Sequence, residues 1–331
     1  AIADARTRRD ADGAIRLEVR AWARRVNLQL GAALVGFDRG ITPEGADELF
    51  ALVQTFIGGY QNIFENAFAA FDPTGPKQKA ALAARDEITE KFHKPALNRR
   101  RELLAKVEAG EMDRADLPSD LLMLIAEERD PAWADPEVGQ KEALLLLGAG
   151  LHSPSNTLVW ALRELFAYLE AHPEQKDRIH DDAFLLAVVR ETLRLHSTVP
   201  ALLRRAEEPV EMPTGCLVGQ DALVLIRTGA ASVSEENYGD DAREFNPDRK
   251  KPIPSSPSHG FVFGAGPHMC FGMPTVMGAE GIDGSLVYIL RGLLKAGAQP
   301  DPQAIPVDLS ANRGIHDPAM KTVPYTILFP G

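Results

Sequence analysis

A lone cysteine set among glycines constrains this chain more than any other feature. It lies in the segment Phe-Gly-Ala-Gly-Pro-His-Met-Cys-Phe-Gly at residues 263–272. Gly264, Gly266 and Gly272 let the backbone turn tightly and approach a bound group closely. Cys270 precedes a predicted helix, where backbone N–H groups and the helix dipole favour thiolate over thiol. For a single cysteine in a glycine-rich turn, a buried structural thiol is the ordinary alternative.

The composition is that of an ordinary folded protein. Of the 331 residues, 45% are hydrophobic and 25% are charged, which allows one large domain or two modest ones. The formal net charge of −11 argues against nucleic acid as a partner, because phosphate binding needs clustered Lys and Arg. Basic runs at 99–101 and 249–251 are interpreted as solvated surface, with docking of an acidic redox partner as the alternative.

Cysteine use and hydropathy indicate where the chain works. Only two cysteines occur, Cys216 and Cys270, which fits a reducing compartment, so we expect a cytoplasmic location. No apolar run reaches the roughly 18–20 residues that cross a bilayer, so we expect no membrane segment in this chain. The sequence opens without Met, and we therefore expect a fragment; whether an anchor precedes it stays open.

Hydrophobic periodicity predicts a mainly α protein with small β-sheets late in the chain. Predicted helices cover residues 17–35, 49–71, 77–108, 120–128, 135–171 and 181–195, and another follows Cys270. Predicted strands cover residues 209–218, 222–228 and 322–328. We expect a bend near Pro95 and a kink at Pro154, since proline removes a helical hydrogen bond.

The ten-residue glycine–cysteine segment resembles the cysteine-ligand loop of cytochromes P450. It matches the family pattern Phe-Gly-x-Gly-x-His-x-Cys-x-Gly at every fixed position. The resemblance implies the cytochrome P450 fold, as a single domain over residues 1–331 that is incomplete at the N-terminus. It also implies haem b (iron protoporphyrin IX) as the cofactor, with Cys270 as the axial thiolate and metal ligand.

The same resemblance implies roles for the neighbours of this cysteine. Phe263 would pack near the sulfur, and Gly264 and Gly272 would let the backbone lie close to the cofactor. His268 would bond a haem propionate, with a surface histidine as the alternative.

Two further segments agree with this family. Glu191 and Arg194 lie three residues apart in a predicted helix and so share one face. Alone, such a pair is usually a surface ion pair of little energetic value. Their segment looks like the Glu-x-x-Arg helix of the family, and residues 245–249 resemble the segment that supplies a third member, Arg249. The resemblance implies a buried structural triad that locks the scaffold of the cysteine loop.

An arginine after the bend at Pro200 is a second candidate for holding a haem propionate. In the family an arginine at this place pairs with the propionate, because a guanidinium can hold a carboxylate through two parallel N–H bonds. On register we favour Arg204 over Arg205 for this role.

Residues 144–155 resemble the helix that covers the haem, where the family pattern is Ala/Gly-Gly-x-Asp/Glu-Thr. Ala149 and Gly150 fit, and their small side chains would leave room for dioxygen. His152 replaces the acid, as in sterol 14-alpha-demethylases, to which this position is locally similar, and Ser153 replaces the threonine. We predict that His152 and Ser153 relay protons. The alternative is that they only satisfy the backbone distorted by the following proline.

The resemblance implies a haem-thiolate monooxygenase, an oxidoreductase that inserts one oxygen atom from O2 into a hydrophobic small molecule. No nucleotide or flavin motif is visible, so electrons are expected from a separate partner, either a ferredoxin with its ferredoxin reductase or a flavoprotein reductase. We expect a monomer. Two alternatives stay open: a peroxygenase, isomerase or dehydratase on the same fold, and a non-catalytic haem-binding protein.

Overall fold

Helices make up most of the chain that the computed structural model describes, which is residues 13–65, 74–250, 255–314 and 323–329. The α-helices are α1 (Val19–Val35), α2 (Pro43–Glu65), α3 (Pro76–Ile88), α4 (Lys94–Glu108), α5 (Leu121–Ala126), α6 (Pro136–Ala171), α7 (Asp182–Leu195), α8 (Thr228–Ala231), α9 (Glu235–Tyr238), α10 (Met273–Met277), α11 (Ser285–Lys295) and α12 (Leu309–Asn312). Short 3-10 helices lie at Asp38–Ile41, Arg114–Asp116, Pro131–Ala134, Pro173–His180 and Gly266–His268, and a π-helical turn lies at Thr89–His93.

The strands form small antiparallel sheets. They are β1 (Ile15–Glu18), β2 (Leu202–Arg205), β3 (Val210–Glu211), β4 (Leu217–Val218), β5 (Leu223–Ile226), β6 (Gly278–Ala279), β7 (Ile282–Asp283), β8 (Gln299–Pro300) and β9 (Thr326–Phe329). β9 pairs with both β1 and β8, while β2 pairs with β5, β3 with β4 and β6 with β7. The prediction of a mainly α protein with small β-sheets is therefore confirmed. No helix in the described ranges is long and apolar enough to cross a bilayer.

The chain divides into two compact units. The first combines the residues up to Trp22 with those from Pro154 onward, and the second is Ala23–Ser153. The boundary falls inside α6, a helix of 36 residues with Pro154 in its interior.

An apolar core fills the second unit, because its helices each bury one apolar stripe. The rings of Phe37 and Phe92 pack there with their centroids 6.2 Å apart. Around them lie, among others, Leu28, Val35, Leu49, Ile88, Leu122, Leu147 and Leu151.

A buried arginine braces this second unit. Arg100, on α4, is 3% exposed. Its Nη2 donates to Asp38 Oδ1 at 2.9 Å and to Asp120 Oδ2 at 2.7 Å. Asp120 also caps α5, since its Oδ1 accepts from the Met123 N–H at 2.9 Å. The interpretation of the basic run at 99–101 as solvated surface is therefore wrong at Arg100. Arg99, by contrast, is exposed.

A second buried charged cluster lies in the first unit. Glu164 Oε1 lies 2.7 Å from His196 Nε2, and Arg313 Nη2 donates to Glu164 Oε2 at 2.7 Å. The Trp160 ring stacks on the imidazole with a centroid distance of 4.2 Å. Burial lowers the pKa of His196, although its hydrogen bond to Glu164 opposes the shift. This cluster ties α6 to the end of α7 and to the segment after α12.

At the N-terminal end of the described chain, a strand replaces the start of a predicted helix. Ile15–Glu18 pairs with β9, so the helix expected over 17–35 begins only at Val19. Glu18 accepts from the N–H groups of Arg20 and Ala21, at 3.2 and 2.6 Å, and thereby satisfies the first turn of α1. The pairing partner lies some 300 residues later, which hydrophobic periodicity does not reveal.

A π-helical turn precedes Pro95, where a bend was predicted. The Lys94 N–H bonds to the Thr89 carbonyl, five residues back. Proline lacks an N–H and its ring clashes with the carbonyl one turn back in a regular helix. The wider turn relieves this conflict, and α4 begins with Pro95 in its first two positions.

The helix predicted after Cys270 is only five residues long. Gly278 (φ +90°) and Gly281 (φ +75°) turn the chain into the hairpin β6–β7. A Cβ at Gly278 would lie 2.4 Å from the Ile282 carbonyl oxygen, so the hairpin requires glycine there. The next helix, α11, begins only at Ser285. The prediction of a helix after Cys270 is confirmed, and this helix ends at Met277, before these glycines.

Replacing Arg100 with alanine should destabilise the protein by about 3 kcal/mol, because it leaves buried carboxylates without their partner. Arg99→Ala is the matched control on the same helix, and its effect should stay within about 0.5 kcal/mol. Denaturant unfolding of the two variants and the wild type checks the difference. Equal stability of the two variants would contradict the bracing role of Arg100.

Candidate functional site

The cysteine loop is closed by its own backbone. The Cys270 N–H donates to the Phe263 carbonyl at 2.8 Å, so the ends of the glycine-rich segment meet. Gly264 and Gly266 have φ values of +69° and +66°, in the left-handed region where a side chain is strained. These two glycines are therefore required by the backbone itself.

The loop presents its sulfur outward. Cys270 is an exposed free thiol, and its neighbours Met269 and Phe271 are 50% and 68% exposed. His268 is also exposed, whereas Phe263 is buried at the base of the loop. The two exposed apolar side chains on either side of the cysteine form a surface patch that water solvates poorly. Such a patch fits a flat apolar group with a metal at its centre.

The helix that follows the sulfur is short. Gly272 is the N-cap of α10, and a Cβ built on it would lie 3.6 Å from Cys270 Sγ, an ordinary contact. Because α10 has only five residues, its dipole adds little to the stabilisation of a thiolate that the sequence predicts here.

Glu191, Arg194 and Arg249 meet in the structure. Arg194 Nε and Nη2 donate to the two Glu191 carboxylate oxygens at 2.8 and 2.7 Å. Arg249 Nε donates to Glu191 Oε1 at 3.0 Å. Arg194 is 0% and Glu191 3% exposed. The carboxylates of Glu191 and Asp241 outweigh the effect of burial and raise the pKa of Arg249.

Backbone carbonyls satisfy the remaining N–H groups of both guanidiniums. Arg194 Nη1 donates to the carbonyls of Ser232 and Ala242 at 2.8 and 2.5 Å. Arg249 Nη2 donates to the carbonyls of Asp241 and Glu244, each at 2.8 Å. The Glu191–Arg194–Arg249 cluster thereby holds the stretch from Ser232 to Glu244, which consists of α9 and turns.

Strand β2 places Arg204 and Arg205 on opposite faces, because successive side chains in a strand alternate. A Cβ at Gly264 would lie 3.6 Å from Leu202 Cδ1, so the face that carries Leu202 meets the cysteine loop. Arg204 shares that face and Arg205 does not. Arg205 lies 3.9 Å from Asp221 on the exposed surface.

The four residues predicted for the oxygen side lie on α6 within the second unit. Ser153 Oγ donates to the Ala149 carbonyl at 3.0 Å, one turn back in its own helix. A Cβ at Gly150 would meet no atom within 4 Å, so this part of the helix surface is open. His152 is half-buried. Pro154 follows inside the helix, and its missing N–H leaves the Gly150 carbonyl without the regular partner.

Sequence reasoning missed two features beside the predicted residues. The Glu164–His196–Arg313 cluster joins positions that are up to 149 residues apart, and no local pattern connects them. Ser232, fully buried between the charged cluster and the cysteine loop, looks like an ordinary turn residue in the sequence.

Comparison with known proteins supports the same family. A family model described as Cytochrome P450 matches residues 44–275, which include Glu191, Arg194, Arg249 and Cys270. The solved structure of CalO2 superimposes with a TM-score of 0.63 over 95% of this chain and 68% of that chain, at 20% identity. That likeness concerns the fold.

Two curated relatives come from plants. Cytochrome P450 734A2 of Oryza sativa subsp. japonica is 29% identical over 175 residues, which cover 44% of this chain and 30% of the relative. Dolabradiene monooxygenase of Zea mays is 28% identical over 246 residues, which cover 67% of this chain and 48% of the relative. The chain thus spans half or less of the length of these relatives. Since the family model matches well over half of it, the chain belongs to the cytochrome P450 family.

Proposed function

We propose that Cys270 is the axial thiolate of haem b and that the protein is a monooxygenase that inserts one oxygen atom from O2 into a hydrophobic small molecule. The observation that carries this proposal is the exposed Cys270 sulfur on a glycine-turned loop closed by the Phe263 carbonyl. A structural cysteine would be buried, whereas this thiol is free to bind a metal.

The residues of the loop and of β2 fit the cofactor. Cys270 would hold the iron, and Phe263 would shield the base of the loop behind the sulfur. His268 and Arg204 would hold the propionates, and Arg204 lies on the sheet face that meets the loop. Bound haem with a thiolate ligand supplies electron density that favours cleavage of the O–O bond.

The Glu191–Arg194–Arg249 cluster would act as a scaffold for the cysteine loop. Glu191 and Arg194 are buried, and together with Arg249 they hold the carbonyls of the segment from Ser232 to Glu244. Removing one member would strand a buried charge, so the position of the loop depends on all three.

On α6, Ala149 and Gly150 would leave space for a small gas molecule, and His152 and Ser153 would move protons. Support comes from the open surface at Gly150 and from the pH range in which histidine titrates. The Ser153 hydroxyl donates to the Ala149 carbonyl at 3.0 Å. Proton donation by Ser153 requires its hydroxyl to rotate away from that carbonyl.

Electrons would come from a separate ferredoxin with its reductase, or from a flavoprotein reductase. The relative from Zea mays is named Dolabradiene monooxygenase, which supports a monooxygenase reaction for this chain. The second candidate is a peroxygenase, isomerase or dehydratase of the same fold. The Ser153 bond to its own helix and the neighbouring Pro154 favour it, because both weaken a proton relay.

Cys270→Ser should abolish the thiolate signature of the haem protein. The wild type, reduced and treated with CO, should show a Soret band at about 450 nm, and the variant should not. Cys216→Ser is the matched control, since it removes the other exposed thiol and should keep the band. A band that survives in Cys270→Ser, or vanishes in Cys216→Ser, would sink the ligand assignment.

Turnover of a hydrophobic test panel separates the two enzymatic candidates. Product should form with O2, reduced ferredoxin and ferredoxin reductase, because the monooxygenase reaction consumes two external electrons. Product formed with peroxide alone, at a rate that ferredoxin does not raise, would instead establish a peroxygenase. A substrate-induced spin shift without any product would favour the non-catalytic haem-binding protein.

Arg204→Ala should release haem about tenfold faster than the wild type, because it removes a charge-assisted contact to a propionate worth roughly 1.5 kcal/mol. Arg205→Ala, one residue along on the opposite face, should change the rate less than about twofold. Transfer of haem to an acceptor protein measures both rates. The opposite order would assign the propionate to Arg205.

A further inference from the structure

Ser232 forms hydrogen bonds with both its side chain and its backbone. It caps the C-terminal end of α8 and is 0% exposed. Its hydroxyl donates to the Thr228 carbonyl at 2.8 Å and accepts from the Phe261 N–H at 2.9 Å. Its own carbonyl accepts from Arg194 Nη1 at 2.8 Å. One small residue therefore contacts the charged cluster with its backbone and the chain that leads into the cysteine loop with its side chain.

Gly260 shows how closely these parts approach. It has φ +70°, and a Cβ on it would lie 2.5 Å from Ser232 Oγ and 3.1 Å from Arg194 Cα. Any larger residue would push the loop away from the cluster. The Tyr238 hydroxyl donates to the Pro257 carbonyl at 2.8 Å and holds the chain just before this point.

Two backbone hydrogen bonds connect the chain at Phe261 to Cys270. The Phe261 carbonyl accepts from the Gly264 N–H at 3.1 Å, and the Phe263 carbonyl accepts from the Cys270 N–H at 2.8 Å. The path from the charged cluster to the thiol thus runs through Ser232, then Phe261, and then the closed loop. In this path the Ser232 hydroxyl supplies the bond to the Phe261 N–H.

We propose that Ser232 is a positioning residue that fixes the cysteine loop on the Glu191–Arg194–Arg249 cluster and thereby holds the Cys270 sulfur in place to bind the iron. This inference rests on the proposed function of Cys270. The serine hydroxyl is the specific requirement, because it accepts from the Phe261 N–H while it donates to the Thr228 carbonyl.

Replacing Ser232 with alanine leaves the Phe261 N–H without its partner, whereas the Thr228 carbonyl keeps its bond from the backbone N–H of residue 232 at 3.0 Å. The start of the loop then detaches more readily from the cluster. A sulfur that is held less firmly in position is displaced more easily from a bound metal. The haem-loaded variant would then show a CO band at about 420 nm, as expected when the bond to the thiolate is lost.

The experiment compares Ser232→Ala with Ser234→Ala in the haem-loaded protein. Ser234 is the matched control, because its hydroxyl donates to the Ala231 carbonyl at 3.2 Å within its own turn. The first measurement is hydrogen exchange of the Phe261 amide, which should become about tenfold faster in Ser232→Ala only. The second is the ratio of the CO bands near about 450 and 420 nm, which should fall at least threefold in Ser232→Ala and stay unchanged in the control.

Ser232→Thr keeps the hydroxyl and provides the rescue, so its band ratio should lie nearer the wild type than that of Ser232→Ala. Faster exchange at Phe261 with an unchanged band ratio would show a purely structural serine and overturn the proposal. Should the alanine variant not fold, the wild type still tests it: a Phe261 amide that exchanges as fast as in an unfolded chain would exclude the bond. A wild type without the band near about 450 nm would instead refute the function of Cys270.

Discussion

The burial of one guanidinium, that of Arg194, is the interaction on which the first unit depends. Moving such a charge out of water costs several kcal/mol, and the cost is recovered only if every N–H finds a partner. Glu191 supplies two parallel bonds, and the carbonyls of Ser232, Ala242 and Glu244 supply the others. The segment from Ser232 to Glu244 is therefore held in place by the charge of Arg194 on helix α7.

This arrangement explains how a rigid helix defines the position of a loop far away in sequence. Helix α7 carries the charge, the stretch after α8 wraps around it, and the cysteine loop attaches to that stretch. Arg249 closes the cluster from the other side through Glu191 and the carbonyls of Asp241 and Glu244. The loop itself contributes only turns and one closing hydrogen bond.

The sequence predicts most of what local chemistry determines. The glycines at 264 and 266 occupy left-handed backbone, as the motif requires, and Glu191 and Arg194 share a helix face because they are three residues apart. Other features depend on distant partners. β1 forms because β9 pairs with it, and Glu164 can be buried because Arg313 forms an ion pair with it. No local sequence pattern predicts either of these partners.

Support for the proposed roles is uneven along the chain. Around the cysteine loop, the glycine–cysteine motif and the buried ion pairs of Glu191 with Arg194 and Arg249 both support the proposal that Cys270 is a haem ligand. On α6, Ser153 bonds to its own backbone and Pro154 lies inside a continuous helix, so these residues are compatible with the proposed proton relay and with a reaction that needs none.

The π-helical turn at Thr89–His93 makes the second unit tolerant of a change in residue number at this one place. The turn holds one residue more than an α-helical turn, so one residue fewer there would restore regular winding and leave the following helix in nearly the same phase. Arg100 would then still reach Asp38 and Asp120. The same loss inside α4 ahead of Arg100 would rotate the rest of that helix by about 100° and turn Arg100 away from both carboxylates. A single-residue gap in an alignment is thus silent at the turn and disruptive a few residues later.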